Sequence, residues 1–422
     1  MKNSVLRALA GMVLLAGNVT CMAATMDITA SFSPSMDNPD NNTFTNTTPQ
    51  SGYCVTYPDQ CKESNIFSID MGGITASLAT SGFTANSDAR MGVYFKMPGA
   101  WRDVIVTNSS TGAQVTVGYR VNAFSARYNT RTSWTQADHQ AWNSSSFVNA
   151  PSPCSYSGVG QYTNNWYMFM WKWPTSDAAC YKTAKKDLTG EPYLINRTSI
   201  GYELKTPDPL KIEAGMYTGT LPLSIGPGGD IDFGDNFKAS DTLLTINFTL
   251  SVNHELKLTT TADDQKVSLQ PCASGSTCTE DKGTANWERW MVTRITPELT
   301  GRSNFSLSSS GAFTVYLECE QQSGSDCALR SDNTASQTVP VRTLLTLPDN
   351  IVDNSTGSTI SKRRLAVGRK LTKNVFVTKT FGKNKAGSID FLVSQKDVDT
   401  MLKTRPDTYR GAVTVIFDPK IY

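Results

Sequence analysis

The stretch Leu243-Leu244-Thr245-Ile246-Asn247-Phe248-Thr249-Leu250-Ser251-Val252 alternates apolar and polar residues without a break. Successive side chains of a strand point to opposite faces, so Leu244, Ile246, Phe248, Leu250 and Val252 share one face and Thr245, Asn247, Thr249 and Ser251 the other. A helix would scatter the same five apolar residues around its circumference. The segment reads as a half-buried strand, with one face on a core and the other toward water.

Shorter runs of the same kind occupy residues 104–107, 113–121 and 313–317, bounded by Gly, Pro, Asn, Asp and Ser. Helical spacing is confined to 136–142 and 395–402, where Ser394 is placed to cap the start. The body is therefore expected to be all-β. Tyr217-Thr218-Gly219 leads into Leu221 and Leu223, and Tyr409-Arg410-Gly411 leads into Val413, Val415 and Phe417. This echo predicts the terminal strand of a sandwich at each place, hence two domains. The first is expected to close somewhere after Phe237; residues 227–235, rich in Pro, Gly and Asp, make a loop, and 259–264 is a polar candidate linker. The boundary is set near Glu255, giving domains 24–255 and 256–422.

Residues 1–23 have the form of a signal peptide: Lys2 and Arg7, an apolar run over 6–15, and small residues around Cys21-Met22-Ala23. The mature chain is expected to begin near Ala24, and the apolar run is too short for a spanning helix of about 20 residues. Charged residues are 18% of the 422 and the formal net charge is +2. That balance lacks the basic field nucleic acid requires.

Setting Cys21 aside leaves eight of the nine cysteines, an even set in an exported chain. Eight cysteines allow on the order of a hundred pairings. Close spacing favours sequential neighbours: Cys54 with Cys61, Cys154 with Cys180, Cys272 with Cys278, Cys319 with Cys327. A metal role has little support, because the two histidines, His139 and His254, sit near no cysteine pair and no Cys-x-x-Cys occurs. Neither a Gly-x-Ser-x-Gly elbow nor a His-Glu-x-x-His motif is present. A carboxylate-pair glycosidase is the enzymatic alternative, since its two acids leave no local motif.

The C-terminal run from Asp407 through Tyr409, Gly411, Val413, Val415 and Phe417 to Tyr422 carries alternating apolar residues almost to the carboxylate. It resembles the closing strand of a pilin domain. With two domains in one chain, the whole resembles the tip adhesins, or pilus-biogenesis initiators, of chaperone–usher fimbriae of the alternate or class 5 type. The resemblance is architectural and covers the mature chain. It implies two immunoglobulin-like β-sandwiches, the C-terminal one an incomplete pilin-type sandwich with Val413, Val415 and Phe417 facing an open groove.

It further implies donor-strand partners, first a periplasmic pilus chaperone and then the adjacent pilin subunit, together with an outer-membrane usher. A host glycan or glycoprotein receptor, a fimbrial location at the bacterial surface and no cofactor complete the expectation. A minor pilin or assembly initiator that binds no receptor is the alternative. Met26, Ile28, Ala30 and Phe32 also alternate, as a donor strand or as the first strand of the first domain. Pro34 and the Asn-rich stretch 38–42 favour the latter.

Six of the eight tryptophans precede the boundary: Trp101, Trp134, Trp142, Trp166, Trp171 and Trp173. Flat aromatic faces beside Asn, Gln or Arg suit a sugar ring. On a strand through 166–173, Trp166, Met168 and Met170 oppose Tyr167, Phe169, Trp171 and Trp173, so one face is a core and the other a platform, or both are buried. The second candidate is Trp101, Arg102, Arg120, Arg127, Tyr128, Arg131 and Trp134, suited to an anionic sugar. Its alternative is a solvated strand edge kept apart from other edges by charge.

Overall fold

The structure is a computed structural model that describes residues 24–130, 133–156, 160–189, 193–370 and 372–419. The signal-peptide stretch 1–23 and Arg131 lie outside the described residues.

The fold is all-β, built on two separate hydrophobic cores. The apolar residues of Leu243–Val252 seed the first. Leu244, Ile246, Phe248, Leu250 and Val252 are each no more than 1% exposed. One neighbour of this strand is Gly215–Ser224, antiparallel. The other is Ala24–Phe32, which runs parallel to it in unbroken register from Ala24 beside Leu244 to Phe32 beside Val252. Met26, Ile28, Ala30 and Phe32 are buried, so this alternating segment is the first strand of its own domain. Beyond Gly215–Ser224 the sheet continues through Arg102–Asn108 and Gln114–Thr130 to Tyr193–Lys205. Gln114–Thr130 is long enough, at 17 residues, to take Arg102–Asn108 along its first half and Trp166–Lys172 along its second.

Tyr217 is buried, and its hydroxyl donates to the Glu213 carbonyl at 3.0 Å. This corrects one expectation: Gly215–Ser224 is the penultimate long strand of its domain, and Leu243–Val252 closes it. The echo with Tyr409 is local in kind and does not mark equivalent strands.

After Val252 only residues 253–255 intervene before Leu256–Thr259, which pairs with Glu298–Ser309. Thr259 thus belongs to a strand, and Asp264 is tied to Thr261 and Asn304, so 259–264 is no linker. The second domain is a sandwich. One sheet runs through Leu256–Thr259, Glu298–Ser309, Gly382–Val393, Thr338–Thr346 and Asp326–Ser331; the other through Ile351–Asp353, Phe376–Thr378, Ala312–Cys319 and Val413–Asp418. Leu307, Phe313, Val315, Leu317, Val341 and Leu345 fill the space between.

The four disulfides join the sequential neighbours, Cys54–Cys61, Cys154–Cys180, Cys272–Cys278 and Cys319–Cys327. The helix Gln395–Leu402 forms with Ser394 accepting from the Asp397 amide, and a short turn forms at Gln136–His139 behind Thr135. Three further helices contradict the expectation of only two: Tyr53–Thr56, Pro58–Ser64 and the 14-residue Glu280–Thr293. The longest begins with Glu280 and Asp281, charges that suit a helix start. Its apolar residues do not form one stripe: Trp287 packs on the core, while Val292 is 84% exposed. Periodicity therefore could not find it.

Candidate functional site

Val413–Asp418 pairs antiparallel with Ala312–Cys319, from Val413 opposite Cys319 to Asp418 opposite Thr314. On its other side no strand lies beside it among the described residues. The strand is an edge, and Val413, Val415 and Phe417 are only half-buried.

Beside it lies a groove of about 600 Å³. Gly411 and Val413 line it together with Leu299, Val341, Phe391, Val267, Leu269 and Met401, and Val413 is the one residue of Val413–Asp418 among its lining residues. Leu269, Leu329, Phe391, Met401 and Val413 pack on the core without being enclosed by it. A groove that sets apolar side chains among polar ones such as Gln265, Ser268 and Arg410, at the start of an edge strand, suits an extended segment with alternate apolar side chains.

Of the three residues expected in the groove, Val413 lines it. Phe417 instead packs its ring 5.5 Å from that of Phe305 and 5.9 Å from that of Phe313. Val415 also lies against the core rather than among the lining residues. The walls that sequence reading missed come from distant segments; the alternation Val267-Ser268-Leu269 was the one local signal available.

The aromatic candidates of the first domain divide sharply. Trp134, Trp171 and Trp173 are 5%, 0% and 4% exposed. Trp171 donates to the Phe147 carbonyl at 2.6 Å and Trp173 to the Ala178 carbonyl at 3.1 Å. Tyr128 is buried too, its hydroxyl 2.6 Å from His139 Nδ1. These four are core, and of the two readings of 166–173 the structure has the one in which both faces are covered. Tyr167, Phe169, Trp171 and Trp173 enter the main core; Met168 and Met170 enter a second cluster beneath Tyr53 and the Cys54–Cys61 bridge. Of the aromatic residues in this strand, Trp166 is the half-exposed one.

The basic candidates fall into separate places. Arg102 bridges Asp177 at 2.9 Å and Asp230 at 3.0 Å. Arg120 grips Glu203 with two bonds of 2.7 and 2.8 Å and lies 5.6 Å from the Trp101 ring, which Lys205 approaches at 4.0 Å. Arg127 lies over Trp166 at 5.6 Å. Arg120 and Arg127 are seven residues apart on one strand, roughly 23 Å at strand rise, so one small ligand does not reach both. The acidic loop 230–235 is a set of counter-charges: Asp230 for Arg102, Asp232 and Asp235 for Arg90. No group of three or more His, Cys, Asp or Glu is placed to hold a metal ion among the described residues.

Both histidines are held below their ordinary pKa by burial. His254 sits between the domains, its Nε2 2.8 Å from the Ile212 carbonyl and its Nδ1 3.4 Å from Ser310 Oγ. Lys182 is buried beside the rings of Phe147 and Trp171, its Nζ donating to the carbonyls of Asn143 and Ser145, and burial brings its pKa to about 7.

No protein-family profile and no curated protein matches the chain. Among solved structures it is similar to a chain of the chaperone–tip adhesin complex of CFA/I fimbriae biogenesis, with 9% identity, a TM-score of 0.23, and 94% of this chain and 97% of that one covered. It is also similar to CfaE, the adhesive subunit of CFA/I fimbria of enterotoxigenic Escherichia coli, with 9% identity, a TM-score of 0.21, and 94% and 92% covered. A third is a chain of the CsuC–CsuE chaperone–tip adhesion subunit pre-assembly complex from archaic Csu pili of Acinetobacter baumannii, with 12% identity, a TM-score of 0.19, and 94% and 98% covered.

Proposed function

We propose that this chain is a fimbrial tip adhesin that enters its fibre by accepting a strand from another polypeptide beside Val413–Asp418. The observation that carries this reading is the groove of about 600 Å³ that opens at the start of Val413–Asp418, a strand paired on one side only among the described residues. A strand laid there satisfies backbone donors and acceptors and removes apolar surface from water, at roughly 25 cal/mol per Å² buried. The first domain already shows this arrangement completed from within, where Ala24–Phe32 covers the edge of Leu243–Val252.

In this reading residues 256–422 form the assembly domain, served in turn by a periplasmic pilus chaperone, an outer-membrane usher and the adjacent pilin. Residues 24–255 form the receptor-binding domain, exposed at the fimbrial tip on the bacterial surface and directed at a host glycan. The work is binding, with no cofactor. An initiator that assembles without a receptor is the second reading, favoured if only the groove is functional.

The test extends the full chain beyond Tyr422 by a short turn and a copy of the sequence 24–32, whose alternation already suits such an edge. The extended protein is expected to stay monomeric and to melt well above the unextended one, which should aggregate and bind a hydrophobic dye. An unextended chain that is monomeric, dye-silent and equal in melting temperature would overturn the assignment of the groove.

A further inference from the structure

The strand pairing gives the first domain two poles. At one, Val252 pairs with Gly215 and leads through 253–255 into the second domain. On the same side Tyr217 pairs with Asn108, and Thr107 with Gln114, where the strand Gln114–Thr130 begins. That strand ends at Thr130, opposite Tyr193, and at strand rise its ends stand roughly 50 Å apart. At this far pole Ala76–Leu78 runs toward Tyr193 alongside Leu194 and Ile195, with Phe237–Ala239 on its other side.

Just past Leu78 lies a pocket of about 240 Å³, lined by Thr80, Ser81, Thr84, Ser87, Met91 and Asn236. Asn236, 1% exposed, ties its walls together. Its Nδ2 donates to the Met91 carbonyl at 2.9 Å and the Gly82 carbonyl at 3.3 Å, and its Oδ1 accepts from Thr80 Oγ1 at 2.5 Å. Phe83 anchors the loop in the core, its ring 5.0 Å from that of Trp142 and 5.1 Å from that of Tyr193. The Ala85 amide donates to Asp187 at 2.7 Å and the Asn86 amide to the Ala184 carbonyl at 2.9 Å. The walls are thus fixed before any ligand arrives, which lowers the cost of binding one.

The lining is uncharged among the described residues. Charged groups adjoining it along the chain are engaged: Arg90 with Asp232 and Asp235, and Asp88 with the Arg90 amide. An ionic ligand would therefore leave water without gaining a counter-charge. Hydroxyls, in contrast, are plentiful. Ser87 Oγ is buried with no hydrogen-bond partner among the described residues, and a hydroxyl unpaired out of water is costly. Ser81 and Thr84, both exposed, bring two more, each able to donate and accept. Met91, 37% exposed, offers an adaptable apolar surface. Pockets for drug-sized ligands span roughly 300–1,000 Å³, so this one suits a single ring.

We propose that this pocket binds one uncharged sugar ring, with a ring hydroxyl bonded to Ser87 Oγ and the ring's apolar face against Met91. The proposal deepens the adhesin reading and rests on it for the ligand being a sugar. That the ligand is small, neutral and rich in hydroxyls follows from the lining alone. In that reading the groove that takes another subunit's strand belongs to the other domain, so this pole stays free for a receptor.

The experiment is saturation-transfer NMR titration of the intact chain with glucose, galactose and mannose, each beside its uronic acid and its amino-sugar counterpart. At least one neutral sugar is expected to bind with a millimolar Kd that added salt does not move, and its charged counterparts at least threefold more weakly. The Met91 methyl signal, identified by its loss in Met91→Leu, should shift with the same Kd. Ser87→Ala should weaken the sugar at least fivefold while its melting temperature equals or exceeds the parent's, because the unpaired hydroxyl is gone. A merely structural Ser87 would show the reverse, lost stability with affinity kept. Ser81→Trp, at an exposed position, should abolish binding with a melting curve matching the parent, and Lys211→Gln should change nothing. No neutral sugar bound at tens of millimolar, charged counterparts bound as tightly, or unchanged affinity in either serine variant would overturn the site. The strand-extension experiment reads the groove separately, so either result stands without the other.

Discussion

Leu243–Val252 and Val413–Asp418 both alternate apolar and polar residues, and both lie along a core. The first has a strand on each side, one of them supplied by residues 24–32 of the same chain, and its apolar side chains are sealed. The second has one neighbour among the described residues and a groove at its start, by Val413, and its apolar side chains are half-exposed. The alternation is the same in kind; what differs is whether the chain has a spare segment in reach of the edge. A strand is finished by its neighbours, so an unfinished domain can carry the sequence of a finished one.

The strongest way to break this comparison is to delete residues 24–32. The first domain should then acquire the open edge that the second has, and the protein should lose its cooperative thermal transition and elute as aggregate from a sizing column. A soluble variant with a melting temperature near that of the parent would show that Ala24–Phe32 is dispensable and that the two edges are not alike.

A smaller effect separates the two cores. Phe248→Ala empties a sealed site and should cost about 3–5 kcal/mol, whereas Phe417→Ala, at a half-exposed site, should cost about 1–2 kcal/mol in denaturant titrations. When the donor-strand copy is appended, the cost at Phe417 should rise toward that at Phe248. Equal costs without the appended strand would mean that Phe417 is already enclosed.

The smallest expected effect concerns the seam between the halves. His254 touches both, with Phe32 5.9 Å away, and Glu213 and Glu255 are the nearby carboxylates. Burial lowers its folded pKa, opposed by the Ile212 and Pro209 carbonyls. The folded chain therefore binds fewer protons here than the unfolded one. Stability from this group is full above the unfolded value of about 6.5 and declines as pH falls through it toward the lower folded value. His139, lowered in the same sense, adds to the trend. Melting temperature should fall by about 2–4 °C between pH 7.5 and 5.5, and His254→Gln should remove part of that dependence. An identical pH profile in the variant would place the dependence elsewhere.

The difference between the legible and the illegible parts of this molecule is one of range. Alternation is a property of neighbours along the chain, so Leu243–Val252 and Val413–Asp418 could be recognised as strands before any fold was known. The four disulfides close loops short enough for spacing to favour them. Trp134, Trp171 and Trp173 were indistinguishable from surface aromatics, because the main core that encloses them is assembled from distant strands, while the opposite face, with Met168 and Met170, is covered by the helices around the Cys54–Cys61 bridge. The charge partners were equally hidden: Glu203 reaches Arg120 through pairing of distant strands, and Asp230 reaches Arg102 from a loop far along the chain.

By itself the sequence determined an all-β chain with its apolar residues on alternate positions, local disulfide loops, and a charge balance unsuited to nucleic acid. Which edges are covered, which arginines meet a carboxylate, and where a groove opens were decided only by tertiary structure. The physical reason is that alternation assigns a residue to a face of its own strand, while burial and electrostatic pairing depend on what other strands bring to that face.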